Sequence, residues 1–176
     1  MLQWFAILTK RQEEHRACIN LLSQGCTKAF YPTDVVTIVK RGKERRELQA
    51  LFKRIVFAQF DPHDYATFNW GVIRSTRGCV DILKSIQTDG YPAPSPIRDS
   101  IVNALLDQKM DYFNDPSVPF KPGDKIEIQV GRFAGIMAKY LGHEDEKASL
   151  LIEFLGGPHI VPLPLSDLTK RAQEVG

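Results

Sequence analysis

The front of the chain places short apolar runs on either side of one amphipathic stretch. Residues 4–8 form a continuous apolar run, which predicts a buried central strand. Residues 13–24 repeat apolar side chains at helical spacing, and Gly25 is a natural C-terminal stop for the helix that this spacing predicts. The predicted fold therefore begins with a strand and one amphipathic helix.

Further strands and a second helix follow from the same kind of pattern. The β-branched residues 35–39 and the apolar run 51–60 predict two strands, with a basic tip at residues 40–46 between them. Apolar residues between 73 and 83 predict another strand, and Ser95-Pro96 opens a second helix. This order favours an α+β fold in which an antiparallel or mixed sheet is flanked by helices.

The pattern changes after residues 113–119, a polar and proline-bearing segment that predicts a linker. Beyond it, four short strands are separated by glycine-containing turns, which is typical of a small β-barrel. We therefore expect one domain over residues 1–112 and a second, barrel-forming domain over residues 120–176.

The composition is that of an ordinary globular chain: 43% of its 176 residues are apolar, 25% are charged, and the formal net charge is +2. Basic side chains outnumber acidic ones in residues 1–112, whereas acidic ones prevail in residues 113–176. The front half is therefore the better suited to nucleic acid. The first apolar run is too short for a membrane span, and the three scattered cysteines fit a reducing compartment. We expect a cytoplasmic protein.

Motifs for catalysis or cofactor binding are absent from the sequence. The chain has neither glycine-rich motif that cradles nucleotide phosphates, and its four histidines are isolated from one another and from the cysteines. Cys79 follows two arginines, which would lower a thiol pKa, but no histidine lies near it in the sequence. We therefore expect no enzyme activity, no metal and no small cofactor.

Five short motifs in register resemble those of the NusG family of transcription elongation factors. They are Trp4-Phe5-Ala6-Ile7, Leu51-Phe52-x-x-Ile55-x-Phe57, Arg74-Ser75-Thr76-Arg77-Gly78, Phe120-Lys121-Pro122-Gly123-Asp124 and Gly131-Arg132-Phe133-Ala134-Gly135. The first three resemble the N-terminal NGN domain of that family, and the last two the signature of its KOW domain. Details at Lys10-Arg11, Arg41-Gly42-Lys43 and Phe60-Asp61-Pro62 are closer to the specialised RfaH-like branch.

The resemblance implies a transcription antitermination factor that suppresses pausing and termination. In this family the N-terminal domain binds RNA polymerase, at the clamp helices of the largest subunit and the gate loop of the second largest. RfaH-like members also bind the exposed, single-stranded non-template DNA. The KOW domain binds a small-subunit ribosomal protein or the termination factor Rho. No membrane partner is implied, and we expect a monomer.

The resemblance also implies two sets of site residues. The set for polymerase binding comprises an apolar groove and a gate-loop segment: Phe52, Ile55, Phe57, Ile101, Asn69 and Trp70. The set for DNA binding is polar and basic: Lys10, Arg11, Arg16, Asn20, Arg74, Ser75, Thr76 and Arg77. The competing interpretations are core packing for the first set and a solvated surface for the second. The basic tip 40–46 is either a solvated hairpin end or a surface that follows upstream DNA.

The RfaH-like branch implies a second state of the C-terminal domain, a helical hairpin that masks the apolar groove. The glycines of this domain oppose long helices, since each costs about 1 kcal/mol in a helix interior. The ion pair that clasps the helical state in that branch corresponds here to Gln49 and Lys147, which do not form one. We therefore expect the β-barrel to dominate and keep masking as a hypothesis.

Two other functions fit the same residues. A general NusG-type elongation factor would bind polymerase without preferring a DNA sequence. A KOW-type module would bind RNA or the ribosome without polymerase.

Overall fold

The computed structural model describes residues 1–64, 70–86, 92–106, 118–154 and 157–170. The chain forms two compact units, Met1–Ile82 and Leu83–Gly176. Strands outnumber helices in both units, which agrees with the mixed α+β class expected from the sequence. No helix among the described residues is both long enough and apolar enough to cross a membrane.

The first unit contains a four-stranded sheet, a separate hairpin and two helices. Its strands are β1 (Gln3–Thr9), β2 (Lys28–Phe30), β3 (Thr33–Lys40), β4 (Lys43–Ala50), β5 (Ile55–Phe60) and β6 (Cys79–Ile82), and its helices are α1 (Glu14–Ser23) and α2 (Trp70–Ser75). The sheet has the order β2-β5-β1-β6 and all its pairs are antiparallel. Within the described ranges, β3 and β4 pair only with each other.

Both faces of the central strands β1 and β5 are buried. On one face, Phe5 and Phe60 pack in a core that includes the apolar stripe of α1. On the other face, Phe30 meets Trp4 edge to face at 5.7 Å between ring centroids and stacks on Phe57 at 5.6 Å. Burial on both sides explains why these two strands are continuous apolar runs in the sequence rather than alternating ones.

Helix α2 lies where the sequence indicated a strand. Trp70 and Ile73 are one helical turn apart, so both side chains pack against the core of the first unit. The strand β6 begins only at Cys79, after the turn at residues 76–78. The prediction that Ile73 belongs to a strand is therefore wrong, whereas Val80 and Ile82 do lie in one.

The basic tip at residues 40–46 is the exposed end of a hairpin, as one of the two interpretations expected, and most of it is strand, which the apolar pattern did not indicate. Arg41 and Gly42 have φ angles of 53° and 74°, and two successive positive φ angles define the tight type I′ turn of a hairpin. The register runs from Lys40 opposite Lys43 to Thr33 opposite Ala50. So many charged side chains can form a strand here because most of them are exposed to solvent.

The second unit is built around one seven-stranded sheet. Its strands are β7 (Lys84–Ile86), β8 (Pro92–Pro94), β9 (Lys125–Ile128), β10 (Met137–Glu144), β11 (Lys147–Phe154), β12 (Gly157–Pro164) and β13 (Leu168–Lys170), with the helix α3 (Asp99–Leu106) and 3₁₀ turns at Gly131–Phe133 and Leu165–Asp167. The order is β13-β9-β10-β11-β12-β7-β8, and only the β12–β7 pair is parallel. Phe120, Phe133, Tyr140 and Leu150 lie in its core.

The four C-terminal strands predicted from the sequence correspond to β9, β10, β11 and β12, and β13 is a fifth that the pattern did not reveal. From residue 118 onward, the helical segments of the described chain are the two 3₁₀ turns. Closure into a KOW-type barrel and a switch to a helical hairpin stay predictions. Helix α3 begins at Asp99, so the start predicted at Ser95-Pro96 is wrong by one turn.

The division into units differs from the domain boundaries drawn from the sequence. Residues 84–106, which hold β7, β8 and α3, belong to the same compact unit as the C-terminal strands. Residues 113–117, most of the predicted linker, lie outside the described residues. The boundaries 1–112, 113–119 and 120–176 therefore stay predictions.

Candidate nucleic-acid interface

Three segments of the first unit meet at the end of β1. The backbone N–H of Lys10, just after β1, donates a hydrogen bond to the carbonyl of Gly78 at 2.9 Å. On α1, the side-chain amide of Asn20 donates to the carbonyl of Arg77 at 2.8 Å. The structure thus joins residues that are distant in sequence into one surface. We call this surface the basic face: Lys10, Arg11, Arg16, Asn20 and Arg77.

The close approach of the turn to α1 depends on Gly78. Its φ is 97°, a left-handed conformation that other residues adopt at a cost. A Cβ at this position would lie 3.1 Å from the backbone nitrogen of Ala17, which is fully buried. Glycine therefore meets two requirements here, the backbone conformation and the space against the helix.

Two arginines of the predicted DNA set are engaged by carboxylates. Arg74 makes two bonds to Asp81, Nε to Oδ1 at 3.0 Å and Nη2 to Oδ2 at 3.2 Å, and this carboxylate raises the pKa of the guanidinium. Arg16 pairs with Glu13 at 3.3 Å, one helical turn away. Both arginines remain exposed, but each has part of its charge balanced within the protein.

Lys10, Arg11 and Arg77 are the exposed cations of the basic face for which no ion pair is found within the described chain. Uncompensated cations attract phosphate, and a guanidinium also recognises the edge of guanine with two parallel hydrogen bonds. Arg77 is fixed at its backbone by Asn20 while its side chain extends into solvent. Of the predicted DNA-binding residues, Arg77 thus combines a fixed position with an available charge.

The two hydroxyl residues of the set serve the turn itself. Thr76 is only 2% exposed, and its Oγ1 donates to the carbonyl of Val72 at 2.7 Å. Ser75 is exposed, and its Oγ donates to the same carbonyl at 3.0 Å. Thr76 was expected on the DNA-binding surface, but its side chain is buried and bonds to the backbone of α2 instead. The oxygen of Ser75 can still accept a hydrogen bond from outside.

The residues predicted to line a polymerase-binding groove are all buried. Phe52, Ile55 and Phe57 belong to the first unit and are at most 2% exposed. Phe52 meets Phe57 edge to face at 6.1 Å between ring centroids. Ile101 is buried on α3 of the second unit. These side chains are buried in the structure, and their role in polymerase binding stays a prediction.

Of the two residues predicted to bind the gate loop, Trp70 is described by the structure and Asn69 is not. Asn69 lies outside the described residues. Trp70 begins α2, and its ring meets Phe5 at 5.2 Å and Phe60 at 5.4 Å, edge to face in both cases. Much of the indole is therefore committed to the core of the first unit, with part of the residue still accessible.

The cysteines are buried thiols of the first core. Burial raises the pKa of Cys18 to about 12 and those of Cys26 and Cys79 to about 11. The arginines that precede Cys79 in the sequence therefore do not activate it, contrary to the effect considered for them. No cluster of metal-ligating side chains is found within the described residues.

Two residues of the candidate interface were not recognised from the sequence. Asp81 accepts hydrogen bonds from Arg74, and Ala17 is the residue of α1 against which Gly78 packs. Spacing alone does not reveal either contact, because both depend on how β6 and α1 are placed in the fold. The glycine of the Thr76-Arg77-Gly78 turn was the available signal for a close backbone approach.

These features define an α+β protein of two compact units, with an exposed basic face suited to nucleic acid. The model of the family described as "NusG: Transcription termination factor nusG" matches residues 2–106, more than half of the chain. The chain belongs to the NusG family of transcription factors, whose members bind RNA polymerase and are not known enzymes.

The chain is also similar to individual proteins over nearly its whole length. The chain is 23% identical over 178 aligned residues to the "Transcription termination/antitermination protein NusG" of Streptococcus pyogenes serotype M3, with 95% of each chain covered. The same values hold for the protein of that name from serotype M1. A solved structure described as "Domain interaction in Thermotoga maritima NusG" is similar at 18% identity, with 98% of each chain covered and a TM-score of 0.38.

Proposed function

We propose that this NusG-family factor is an RfaH-like antitermination factor. It binds RNA polymerase together with the exposed non-template DNA strand and suppresses pausing and termination. The observation that supports this most is the basic face, on which Arg77 is fixed through its carbonyl and keeps an exposed guanidinium. A cation held in this way can select among bases as well as attract phosphate.

Each part of the basic face suits a single strand for a different reason. Lys10 and Arg11 supply positive charge, which binds phosphates without regard to sequence. Asn20 uses its amide N–H for the turn, so its side-chain oxygen is left to accept from a base. Ser75, at the end of α2 and outside the basic face as defined, offers its hydroxyl oxygen in the same way. Charge thus provides affinity, while Arg77, Asn20 and Ser75 provide preference.

The proposal for polymerase is that the clamp helices bind apolar side chains of the first unit, Phe52, Ile55 and Phe57, and also Ile101 of α3, while the gate loop binds at Asn69 and Trp70. An amphipathic helix in an apolar groove is a common recognition mode. Because the four apolar side chains are buried in the structure, this mode requires their surface to be uncovered before polymerase binds.

A general NusG-type factor is the second candidate, and the relatives favour it. The Streptococcus pyogenes proteins that the chain resembles are termination/antitermination proteins named NusG, and the family model carries the general description. Such a factor would use the same basic face for phosphate alone. Preference for a DNA sequence separates the two candidates.

The C-terminal strands are proposed to bind a second partner, either a small-subunit ribosomal protein or Rho. Binding of the ribosomal protein would couple transcription to translation, whereas binding of Rho would promote termination. A third alternative, a KOW-type module that binds RNA without polymerase, predicts retention by free RNA. Binding of the full chain to each of these three purified partners distinguishes them.

The experiment that tests the proposal measures binding of the full chain to bacterial elongation complexes with randomised non-template strands. Arg77→Ala should weaken binding and reduce the preference among sequences. Arg132→Ala, which removes an exposed arginine of the second unit, serves as the control and should change neither. Binding by the unchanged chain without any preference would favour the general factor, and absence of binding would reject both candidates.

A further inference from the structure

Arg74 and Asp81 form a bidentate pair between two elements of the first unit. From α2, the guanidinium of Arg74 donates through Nε to Oδ1 of Asp81 at 3.0 Å and through Nη2 to Oδ2 at 3.2 Å. Each nitrogen thus meets its own carboxylate oxygen, which fixes the plane of the guanidinium. Arg16, by contrast, bonds Glu13 through one nitrogen, at 3.3 Å. The orientation of Arg74 is therefore defined more closely than that of Arg16.

The carboxylate of Asp81 is itself held in place. Its Oδ1 also accepts the backbone N–H of Ile82 at 2.8 Å. Both residues lie on β6, where Asp81 is opposite Leu8 of the central strand β1. The side chain of Asp81 is 34% exposed and that of Arg74 is 63% exposed. Asp81 is therefore a fixed support against which an exposed guanidinium is oriented.

The donors of Arg74 that Asp81 does not use suit the edge of a guanine. Nε and Nη2 serve the carboxylate, so the fork between Nη1 and Nη2 is directed away from it. No partner for this fork is found among the described residues. Two parallel N–H groups of an arginine match O6 and N7 of guanine, whereas adenine presents a donor in place of O6. The free fork is therefore suited to select guanine.

Phosphate is the weaker match for the same fork. Asp81 balances the charge of the guanidinium from 3.0 Å, so a phosphate that approaches Arg74 also approaches a carboxylate and is repelled by it. The edge of a guanine is uncharged and meets no such repulsion. Stabilisation of the fold is also a weak explanation for the pair, since exposed ion pairs usually contribute little to stability.

The pair lies close to the basic face along the chain. Arg74 and Arg77 are three residues apart, so their Cα atoms are within about 11 Å of each other. This distance corresponds to a few nucleotides of one strand, whose phosphates repeat about every 3.4 Å in a duplex. A strand that binds Arg77 can therefore present a second base to Arg74.

We propose that the Arg74–Asp81 pair reads a guanine of the exposed non-template strand, with Asp81 as the positioning residue that orients Arg74. This inference rests on the proposed function, since it names the base that one part of the DNA-binding surface selects. It differs from that function in its residues, because Asp81 belongs to neither set implied by the family motifs and does not pair with Arg77.

The test selects bound strands from bacterial elongation complexes whose non-template strands are randomised. The full chain should enrich guanine about tenfold at one position that depends on Arg74. Strands made with 7-deazaguanine, which lacks N7, should show no enrichment there. Arg74→Lys keeps the charge but has no fork, so it should lose the enrichment at that position alone.

Asp81→Asn should lose the same enrichment, because an amide offers one acceptor and one donor to the two N–H groups of Arg74. Its affinity for arbitrary strands should not fall, since the variant removes a negative charge. The matched control is Asp34→Asn, which should keep the enrichment. Asp34 is exposed, and its Oδ1 accepts the N–H of Val35 at 2.8 Å, but no ion pair is found for it among the described residues.

The outcomes separate this inference from the proposed function. Unchanged enrichment in Asp81→Asn would overturn the inference and leave the proposed function intact, since Arg77 does not pair with Asp81. Loss of enrichment at every position would show a general effect on the fold and would also overturn it. If Asp81→Asn does not fold, unchanged enrichment in Arg74→Lys would have the same meaning.

Two further results concern the ligand. Selection of guanine from randomised single-stranded RNA, but not from the non-template strand, would overturn the inference in favour of an RNA reader. Binding of the unchanged chain without any preference would overturn both the inference and the RfaH-like function.

Discussion

Family motifs imply a binding role for two sets of residues in the first unit. One set is the basic face, whose cations are exposed, and the other comprises Phe52, Ile55 and Phe57, which are buried. Arg77 is exposed, and its carbonyl is held by a hydrogen bond from Asn20 of α1, so its guanidinium is accessible in the structure. The apolar residues are at most 2% exposed and stabilise the fold as they stand. A family motif therefore indicates which residues have a binding role, whereas the packing determines whether those residues are accessible in this structure.

The largest effect that this comparison predicts is at Phe57. Phe57→Ala removes a ring that stacks on Phe30 and contacts Phe52, and it should lower the free energy of unfolding by about 3–5 kcal/mol. Urea unfolding measures the change, with Val80→Ala as an exposed control expected to stay within about 0.5 kcal/mol. A loss below about 1 kcal/mol would mean that Phe57 is not a core residue. If Phe57→Ala is destabilised as predicted, loss of polymerase binding in a Phe57 variant has to be distinguished from unfolding.

A smaller effect is expected where the basic face is held to α1. Gly78→Ala should cost about 1–3 kcal/mol, because alanine is strained at the positive φ and its Cβ would press on Ala17. Gly131→Ala is the matched control, since Gly131 has a φ of 83° but open space around it. The difference between the two variants in urea unfolding isolates the contact with Ala17. Equal losses would show that this contact contributes nothing.

The hydrogen bond from Asn20 to the carbonyl of Arg77 should contribute about 1 kcal/mol. Asn20→Ala removes it and also loosens the turn that carries Arg77, so DNA binding should weaken together with stability. Asn103→Ala, at an exposed position of α3, is the control. If Asn20→Ala lowers neither quantity, the turn is held by Gly78 and its neighbours alone.

The last prediction distinguishes the buried core from the exposed face by the pH dependence of stability. The folded state holds the pKa of Cys18 at about 12 and those of Cys26 and Cys79 at about 11, above the value of 9.0 for a free thiol. Above pH 9 the unfolded chain loses these protons first, so the free energy of unfolding should fall as pH rises from about 9 to 11. A variant with all three cysteines replaced by alanine corrects for lysine and tyrosine titration. Identical pH slopes for the two proteins would contradict the burial of the thiols.

The sequence located those helices and strands whose burial leaves an apolar pattern in their own residues. It missed those whose structure depends on contacts with other parts of the chain. Apolar runs located β1 and β5, because both strands are buried over most of their length, although β5 begins at Ile55 and not at residue 51 as predicted. Helical periodicity located α1, because this helix buries one apolar stripe. The same signals failed for β4, a charged and exposed strand whose partner and register depend on the turn at Arg41 and Gly42. The pattern also failed for α2, because a helix of six residues is too short for its apolar spacing to be distinguished from that of a strand.

The candidate site shows the same limit. The residue types of the basic face were visible in the sequence, because charge and motif are local properties. The sequence did not show that Asp81 engages Arg74, that Thr76 is buried, or that Asn20 holds Arg77, since these contacts depend on the tertiary arrangement of α1, the turn and β6. They distinguish the two arginines of the turn region: Arg74 is paired with Asp81, whereas no ion pair is found for Arg77 within the described residues.

The most direct test of the central claim is a crosslink between the basic face and DNA in a working elongation complex. A photoreactive amino acid at position 12, exposed beside Arg11, replaces no residue of the candidate site, and position 132 on the second unit serves as the control. The account predicts that position 12 crosslinks to the exposed non-template strand, that position 132 does not, and that Arg77→Ala reduces the crosslink. A crosslink from position 12 to duplex DNA or polymerase alone, unchanged by Arg77→Ala, would contradict it.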